Sequence, residues 1–327
     1  MSGPPGIEEA RAAYRAGLIT PRRKAAFFAA MAGLGLVLPF VVYPVFLMNV
    51  LVMALFASAF NLLLGYTGLL SFGHAAFLGS AAYVTGLVVK VWGLPTEVGV
   101  LAGTAFATLL GWLIGSLAIR RSGIYFAMIT LGFAQMMYFL VVQMPWTGGE
   151  DGLQGIPRGT LLGLVPLSNR YAMYYFVYAI FLGGFFLVYR TIHSPFGHVL
   201  RAIRENEPRA LSLGYDVDRY KVVAFVISAG VAGLAGSTKA LVLQFAALTD
   251  VHWHRSGEVV LMTLLGGMGT VMGPSVGALI VVTMENYLAG LGDWVTIIVG
   301  GVFVVGVLAF RRGFVGEALR ILRNFPF

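Results

Sequence analysis

Two aspartates in this chain could do acid–base chemistry together. Gly290-Leu-Gly-Asp293 has the G-x-G-D form of intramembrane aspartyl chemistry, and Tyr215-Asp216 would be the partner acid. Carboxylates that share a proton must sit within a few ångströms of each other. The charge-based layout below puts Asp216 and Asp293 a membrane thickness apart, so an intramembrane aspartyl protease is kept only as a remote alternative. His252 and His254 flank Trp253 and could touch a metal, but two histidines at i, i+2 without a third ligand make a poor site. There is no H-E-x-x-H zinc motif and no glycine-rich phosphate loop with its lysine. The chain has no cysteine, which excludes disulfides, Cys-ligated metals and thiol catalysis. No catalytic residue, metal or cofactor is expected.

The remaining chemistry lies in polar groups set among hydrocarbon. No Asp, Glu, Lys or Arg occurs between Ala25 and Val89. Within apolar surroundings, His74, Gln135, Asn49, Asn61 and Lys239 are candidates to line a path, because such groups usually face a bundle interior. For Asn49 and Asn61 a hydrogen bond between helices is the preferred reading. Lys239, near the outer end of its span, would snorkel to the surface or pair with Glu258. No Asp/Glu/His relay runs through the spans, which argues against a proton-driven pump.

The elements that hold these groups follow from composition. Of 327 residues 58% are hydrophobic and 11% charged, too little polar surface to cover a soluble core. The chain is expected to be an all-α polytopic integral membrane bundle with about 8–10 transmembrane segments. Spans are placed near Ala25–Tyr43, Val45–Leu64, Ala75–Val91, Val98–Ile119, Gly123–Met144, Tyr171–Tyr189, Val222–Phe245 and Val295–Phe310. Glu258–Leu265 and Pro274–Leu288 add two short crossings or a re-entrant pair. Segments 1–24, 120–121, 190–221 and 311–327 hold 17 of the 22 basic residues. The positive-inside rule therefore places both termini in the cytoplasm, and also accounts for the net charge of +8 without nucleic acid. The division is a cytoplasmic tail over 1–24, a membrane domain over 25–311 and a second cytoplasmic tail over 312–327. An outer loop spans 145–170 and a cytoplasmic loop 193–221.

Two glycine-punctuated segments interrupt the helical pattern. They are Gly65-Tyr-Thr-Gly-Leu-Leu-Ser-Phe-Gly-His-Ala-Ala-Phe-Leu-Gly79 and Leu264-Leu-Gly-Gly-Met-Gly-Thr-Val-Met-Gly-Pro-Ser-Val-Gly-Ala278. Freed backbone at membrane depth is tolerated only in protein or along a water-filled route, and matching breaks in two halves mark transporter binding sites. Gly68, Ser71, Gly73, His74 and Gln135, with Gly266, Gly267 and Gly269, are the expected translocation path.

The cytoplasmic loop carries the densest charge. Arg201, Arg204, Glu205, Glu207 and Arg209 fall within nine positions. His198 to Asn206 favour helix, with Leu200 and Ile203 one turn apart as an apolar stripe. Pro208 would suit the first turn of a second short helix and Gly214 would end it, giving one or two short amphipathic helices. Mixed charge favours docking on a protein over adsorption to anionic lipid, with Leu200 and Ile203 as apolar anchor.

The segments Gly65-Tyr-Thr-Gly-Leu-Leu-Ser-Phe-Gly-His-Ala-Ala-Phe, Gly123-Ile-Tyr-Phe-Ala-Met-Ile-Thr-Leu and Thr147-Gly-Gly-Glu-Asp-Gly-Leu occur in this order. Arg201-Ala-Ile-Arg-Glu-Asn-Glu207, Ser256-Gly-Glu and Leu265-Gly-Gly-Met-Gly-Thr with Gly273-Pro follow. Together they resemble the bacterial branched-chain amino acid ABC transporter permeases, over about Asn49 to Arg312. The resemblance implies an inner-membrane subunit paired with a second, related permease, two cytoplasmic ATPases and a periplasmic binding protein, all in contact with membrane lipid. It also implies an ATPase-coupling helix at Leu200, Arg201, Ile203, Arg204, Glu205, Asn206, Glu207 and Gly214. Related permeases serve urea, short amides and aromatic acids, so those cargoes are the alternatives to Leu, Ile or Val.

Overall fold

The computed structural model describes residues 33, 35–292, 294–310 and 313–321. The N-terminal tail, residues 25–32 and 34 of the expected first span, Asp293 and the last residues lie outside the described ones. Twelve α-helices are named here in chain order: α1 (Pro44–Thr67), α2 (His74–Gly86, extended by a π-turn over Leu87–Val91), α3 (Thr96–Ala118), α4 (Ile124–Gln143) and α5 (Arg170–Ile192). They continue with α6 (Pro195–Glu205), α7 (Glu207–Ser212), α8 (Val217–Leu243), α9 (Trp253–Gly266), α10 (Gly273–Leu288), α11 (Trp294–Ala309) and α12 (Gly313–Ile321). Among the described residues, eight helices are long and apolar enough to cross a membrane, which makes this a polytopic helical bundle.

Helix α1 is the axis. It is buried along nearly its whole length, and α5, α8, α9 and α10 pack around it. Helix α8 is the second central element, and small residues let it approach closely. Ala229 fits against Gly111 of α3, and Gly236 against the Leu78 carbonyl of α2. Broad apolar faces of α3, α4 and α11, including Leu101, Trp112, Phe139 and Leu308, remain exposed, as expected of surface turned to lipid or to another subunit.

The chain returns to two opposite ends. Residues 68–73, 119–123, 193–216 and 267–272 gather at one, the loop end; the connections 92–95, 144–169 and 289–292 gather at the other, the far end. The far end is covered by residues 144–169. Strand Leu153–Gln154 pairs antiparallel with Phe245–Ala246, Thr160–Leu161 pairs with Val165–Pro166, and Arg158 Nη2 donates 2.8 Å to the Val242 carbonyl.

Helix α9 has only 14 residues, so it rises about 21 Å at 1.5 Å per residue, short of the ~30 Å hydrocarbon layer. The chain makes up the difference by dipping into the far end before α9 starts. Val251 is fully buried, with its backbone against Gly79 of α2, and His252 packs on Tyr138 of α4 at a centroid distance of 5.2 Å. Tyr138 is about three-quarters of the way along α4 from the loop end, so α9 begins inside the membrane profile. The segment anticipated as two short crossings is thus a short α9 beside a 16-residue α10.

That hairpin depends on Gly277. A Cβ there would run into the Met262 carbonyl of α9, and backbone cannot step aside as a flexible side chain would. Gly277→Ala is expected to cost at least the ~1–3 kcal/mol typical of overpacking, seen as loss of the monodisperse peak in size-exclusion chromatography. Gly132→Ala on α4, where the added carbon meets nothing within 4 Å, is the control expected to run like the parent.

Candidate functional site: the broken helices and the charged loop

The two glycine breaks dock on each other at the loop end. Asn61 on α1 reaches across: its Nδ2 donates to the Thr270 carbonyl at 2.8 Å and its Oδ1 accepts from the Gly269 N–H at 2.9 Å. One side chain thereby satisfies both the freed N–H and a freed carbonyl of the second break, which is why this asparagine can sit buried. The first break begins where Gly68 takes a left-handed φ of 77° and closes α1, with the Leu69 N–H donating back to Leu63 at 3.2 Å. Ser71 is fully buried and its Oγ accepts from the Gly73 N–H at 3.2 Å; the Phe72 N–H donates to Thr130 Oγ1 of α4 at 3.1 Å.

Helices α6 and α7 lie across these breaks. Ser194 caps α6 by accepting from the Gly197 N–H, with Pro195 preset for the first turn. Asn206 ends α6 in an extended conformation and caps α7, accepting from the Arg209 N–H at 3.0 Å. The loop is therefore two helices, broken at Asn206, with Pro208 in the first turn of α7 and Gly214 left-handed beyond its end.

From α6, Arg204 Nη1 donates to the Gly65 carbonyl, one of the last four of α1 that have no partner within the helix. A Cβ at Gly68 would lie 3.1 Å from Arg204 Cγ, so the same side chain also rests on the first break. The Arg201 guanidinium lies 5.1 Å from the centre of the Tyr66 ring. Gly65, Tyr66, Arg201 and Arg204, with His193, Glu205, Gly269, Thr270 and Val271, line a cleft of about 670 Å³ open at the loop end. A second, apolar cleft of about 430 Å³ runs between the first break and the start of α4, bordered by Gly68, Phe72, Ile124 and Met128.

Several expected residues are placed differently. Leu200 and Ile203 are buried in the protein's own core, Ile203 against Ala210, Val217, Val199 and Tyr220. They fold the loop onto the bundle and present no anchor outward, because Leu200 joins the main core and Ile203 packs on α7 and α8. The exposed apolar side chains of the loop are instead Leu211, Leu213 and Tyr215. Glu207 is held at 2.6 Å by the buried Lys221 ammonium, whereas Glu205 is exposed and has no ion pair among the described residues.

His74 lines neither cleft. It is fully buried, with Phe60, Phe77 and Phe225 edge-on at 5.0, 5.6 and 6.1 Å. Ser228 gives its only proton to the Ala59 carbonyl at 2.6 Å, so its oxygen must accept from His74 Nε2 at 2.8 Å, which assigns the tautomer. Gln135 is half-buried on α4, and Gly266 and Gly267 are buried at the second break.

Lys239 does not snorkel. Its ammonium is bound to Asp250, and the two side chains are 7% and 2% exposed. Arg255 Nε lies 3.5 Å from the same carboxylate while its Nη1 donates to Glu258. Asp250 was invisible as a partner in the sequence, although a lysine at membrane depth demands one.

The two acids of the protease alternative are not brought together. Asp216 caps α8 at the loop end and pairs with Arg219 at 2.8 Å. Asp293 lies outside the described residues, but its neighbours Gly292 and Trp294 are at the far end. His252 and His254 touch each other, Nδ1 to Nδ1 at 2.9 Å, and no group of three or more metal-capable side chains occurs among the described residues.

Broken helices docked across a bundle, with a charged helical loop laid over them, define a membrane transport protein. The family described as "branched-chain amino acid transport system / permease component" matches residues 43–308, and the chain belongs to it. It is 28% identical over 276 residues to the high-affinity branched-chain amino acid transport system permease protein LivM of Escherichia coli, covering 77% of this chain and 65% of LivM. The chain thus spans just under two thirds of that relative's length. It is 26% identical over 268 residues to a probable LivM of Methanocaldococcus jannaschii (70% of this chain, 76% of that one). It is also 29% identical over 230 residues to the autoinducer 2 import system permease protein LsrC of Klebsiella pneumoniae (64% and 59%). No solved structure matches the chain.

Proposed function

We propose that this chain is the membrane-spanning permease subunit of an ATP-driven importer that carries branched-chain amino acids across the bacterial inner membrane. The loop end faces the cytoplasm, in keeping with the basic residues gathered there. A second, related permease completes the pore, two separate ATPase subunits drive it, and a periplasmic binding protein delivers cargo at the far end. The observation that carries this reading is α6–α7: a charged segment seated on both helix breaks through Arg204, with exposed groups at Glu205, Leu211, Leu213 and Tyr215. A nucleotide-driven partner needs such a surface to push on, and this one is joined directly to the backbone interruptions of the bundle.

Glu205→Lys is expected to lower co-purification of the ATPases about ten- to hundredfold, the equivalent of one lost charge-assisted contact. Leu213→Asp is expected to lower it by placing a carboxylate in an apolar contact. The permease should keep its own chromatographic profile, because both side chains point away from its core. Wild-type recovery of the ATPases with both variants would sink the docking role.

A further inference from the structure

The Lys239–Asp250–Arg255–Glu258 cluster lies outside the site described so far, and its position calls for a use. It is built on the last turns of α8, the dipping connection and the first turns of α9, about a quarter of the length of α4 below the far end by the Tyr138–His252 contact. Ionic groups at such depth are costly and, as a rule, serve a pathway. The cluster has a sealed back and an open front. Lys239 and Asp250 are 7% and 2% exposed, whereas Arg255 and Glu258 are 19% and 33% exposed. The front of the cluster is therefore the Glu258 side, where a third of the side chain stays accessible. Glu285 on α10 lies close enough for its charge to act on Arg255.

We infer that Arg255 and Glu258 form the outer substrate station of the permease and recognise the zwitterionic head of an α-amino acid. This rests on the permease reading and specifies its cargo. A zwitterion presents one carboxylate and one ammonium on a single carbon. It can enter the Arg255–Glu258 pair by giving its carboxylate to the guanidinium and its ammonium to the carboxylate. One internal ion pair is exchanged for two intermolecular ones, and the net charge of the site does not change. A neutral amide entering the same place would separate Arg255 from Glu258 without replacing either partner, which leaves costly unpaired charge. A substrate lacking one of the two charges satisfies half of the pair. Lys239 and Asp250 act behind this front as positioning residues: Asp250 holds Arg255 from its Nε side and leaves Nη1 directed at Glu258.

The test uses the assembled permease–ATPase complex in nanodiscs without the binding protein, whose own selectivity would mask that of the membrane station. Saturation-transfer NMR compares L-leucine, leucinamide (no carboxylate), 4-methylpentanoate (no ammonium) and urea. The parent complex should prefer leucine over each analogue by about tenfold or more, the worth of a charge-assisted hydrogen bond. Glu258→Gln should erase the preference over 4-methylpentanoate and keep that over leucinamide; Arg255→Gln should do the reverse. Arg255→Lys, which keeps the charge, should retain both preferences. These ratios are read within one preparation, so a partly misfolded variant does not alter them. If the parent prefers leucine and the Gln variants keep both preferences, the station is elsewhere and the permease reading survives. If the parent prefers urea or shows no preference for leucine, this inference falls together with the amino-acid cargo.

Discussion

Lys239→Met is expected to destabilise the permease by about 3–5 kcal/mol, the cost of removing one partner from a buried ion pair. The substitution keeps the length and apolar stem of the side chain and deletes the ammonium. Asp250, 2% exposed, then retains only the more distant Arg255 Nε at 3.5 Å, and Arg255 is already committed to Glu258. Water cannot reach the carboxylate to replace what is lost. The expected readout is a lower temperature at which detergent-solubilised protein loses its monodisperse peak. Lys239→Met combined with Asp250→Asn removes both charges and should recover most of the loss, since matched neutralisation of a buried pair is often near neutral. A single variant as heat-stable as the parent, or a double variant no better than the single, would show that the pair does not hold the far end together.

The helices were largely legible in the sequence, and the reasons are local. Long runs without charge marked α1 to α5, and Pro44, Thr96 preceded by Pro95, Gly123 and Gly273-Pro274 set starts that hydropathy alone would leave loose. The division of the loop was only half legible: Pro208 suits the first turn of a second helix, but one helix or two stayed open in the sequence. Only the extended backbone of Asn206, which ends α6 and caps α7, decides for two. What each apolar face packs on was not visible. Periodicity shows that Leu200 and Ile203 share a stripe, but the same stripe would serve a partner's groove or the chain's own core. Only the fold of α8 beside them decides for the core.

The charge cluster shows the same limit from another side. Lys239 and Asp250 are separated by eleven residues across a helix end, a short strand and a single turn of 3-10 helix, a spacing that no periodic rule reads. Their meeting depends on the dip before α9, which in turn follows from α9 being too short to reach the surface. The pairing of the breaks through Asn61 is of the same kind, spanning more than 200 residues. Its donor was expected to bond between helices, but its partner could be named only from the docked breaks.

Arg204→Ala should separate ATP hydrolysis from transport while leaving the ATPases attached. In the docked arrangement the outward groups of the loop, Glu205, Leu211, Leu213 and Tyr215, would face the ATPase, and none of them is altered. What disappears is the link inward: the guanidinium bond to the Gly65 carbonyl and the side-chain stem resting on Gly68. A hydrogen bond from a charged donor is worth about 1.5–3 kcal/mol, so the coupled conformation should lose one to two orders of magnitude in population relative to uncoupled ones. In proteoliposomes the expected result is ATPase co-purification equal to the parent, hydrolysis maintained, and ten- to hundredfold less leucine accumulated per ATP consumed. Arg204→Lys, which can donate one bond to the same carbonyl but cannot reproduce the planar fork, should fall between the two. The contrast with Leu213→Asp is the decisive part: that variant should lose the partner, whereas Arg204→Ala should keep the partner and lose its effect. An unchanged ratio of uptake to hydrolysis in Arg204→Ala would mean that the push enters the bundle through the ends of α5 and α8, with the Gly65 contact only a local cap on α1.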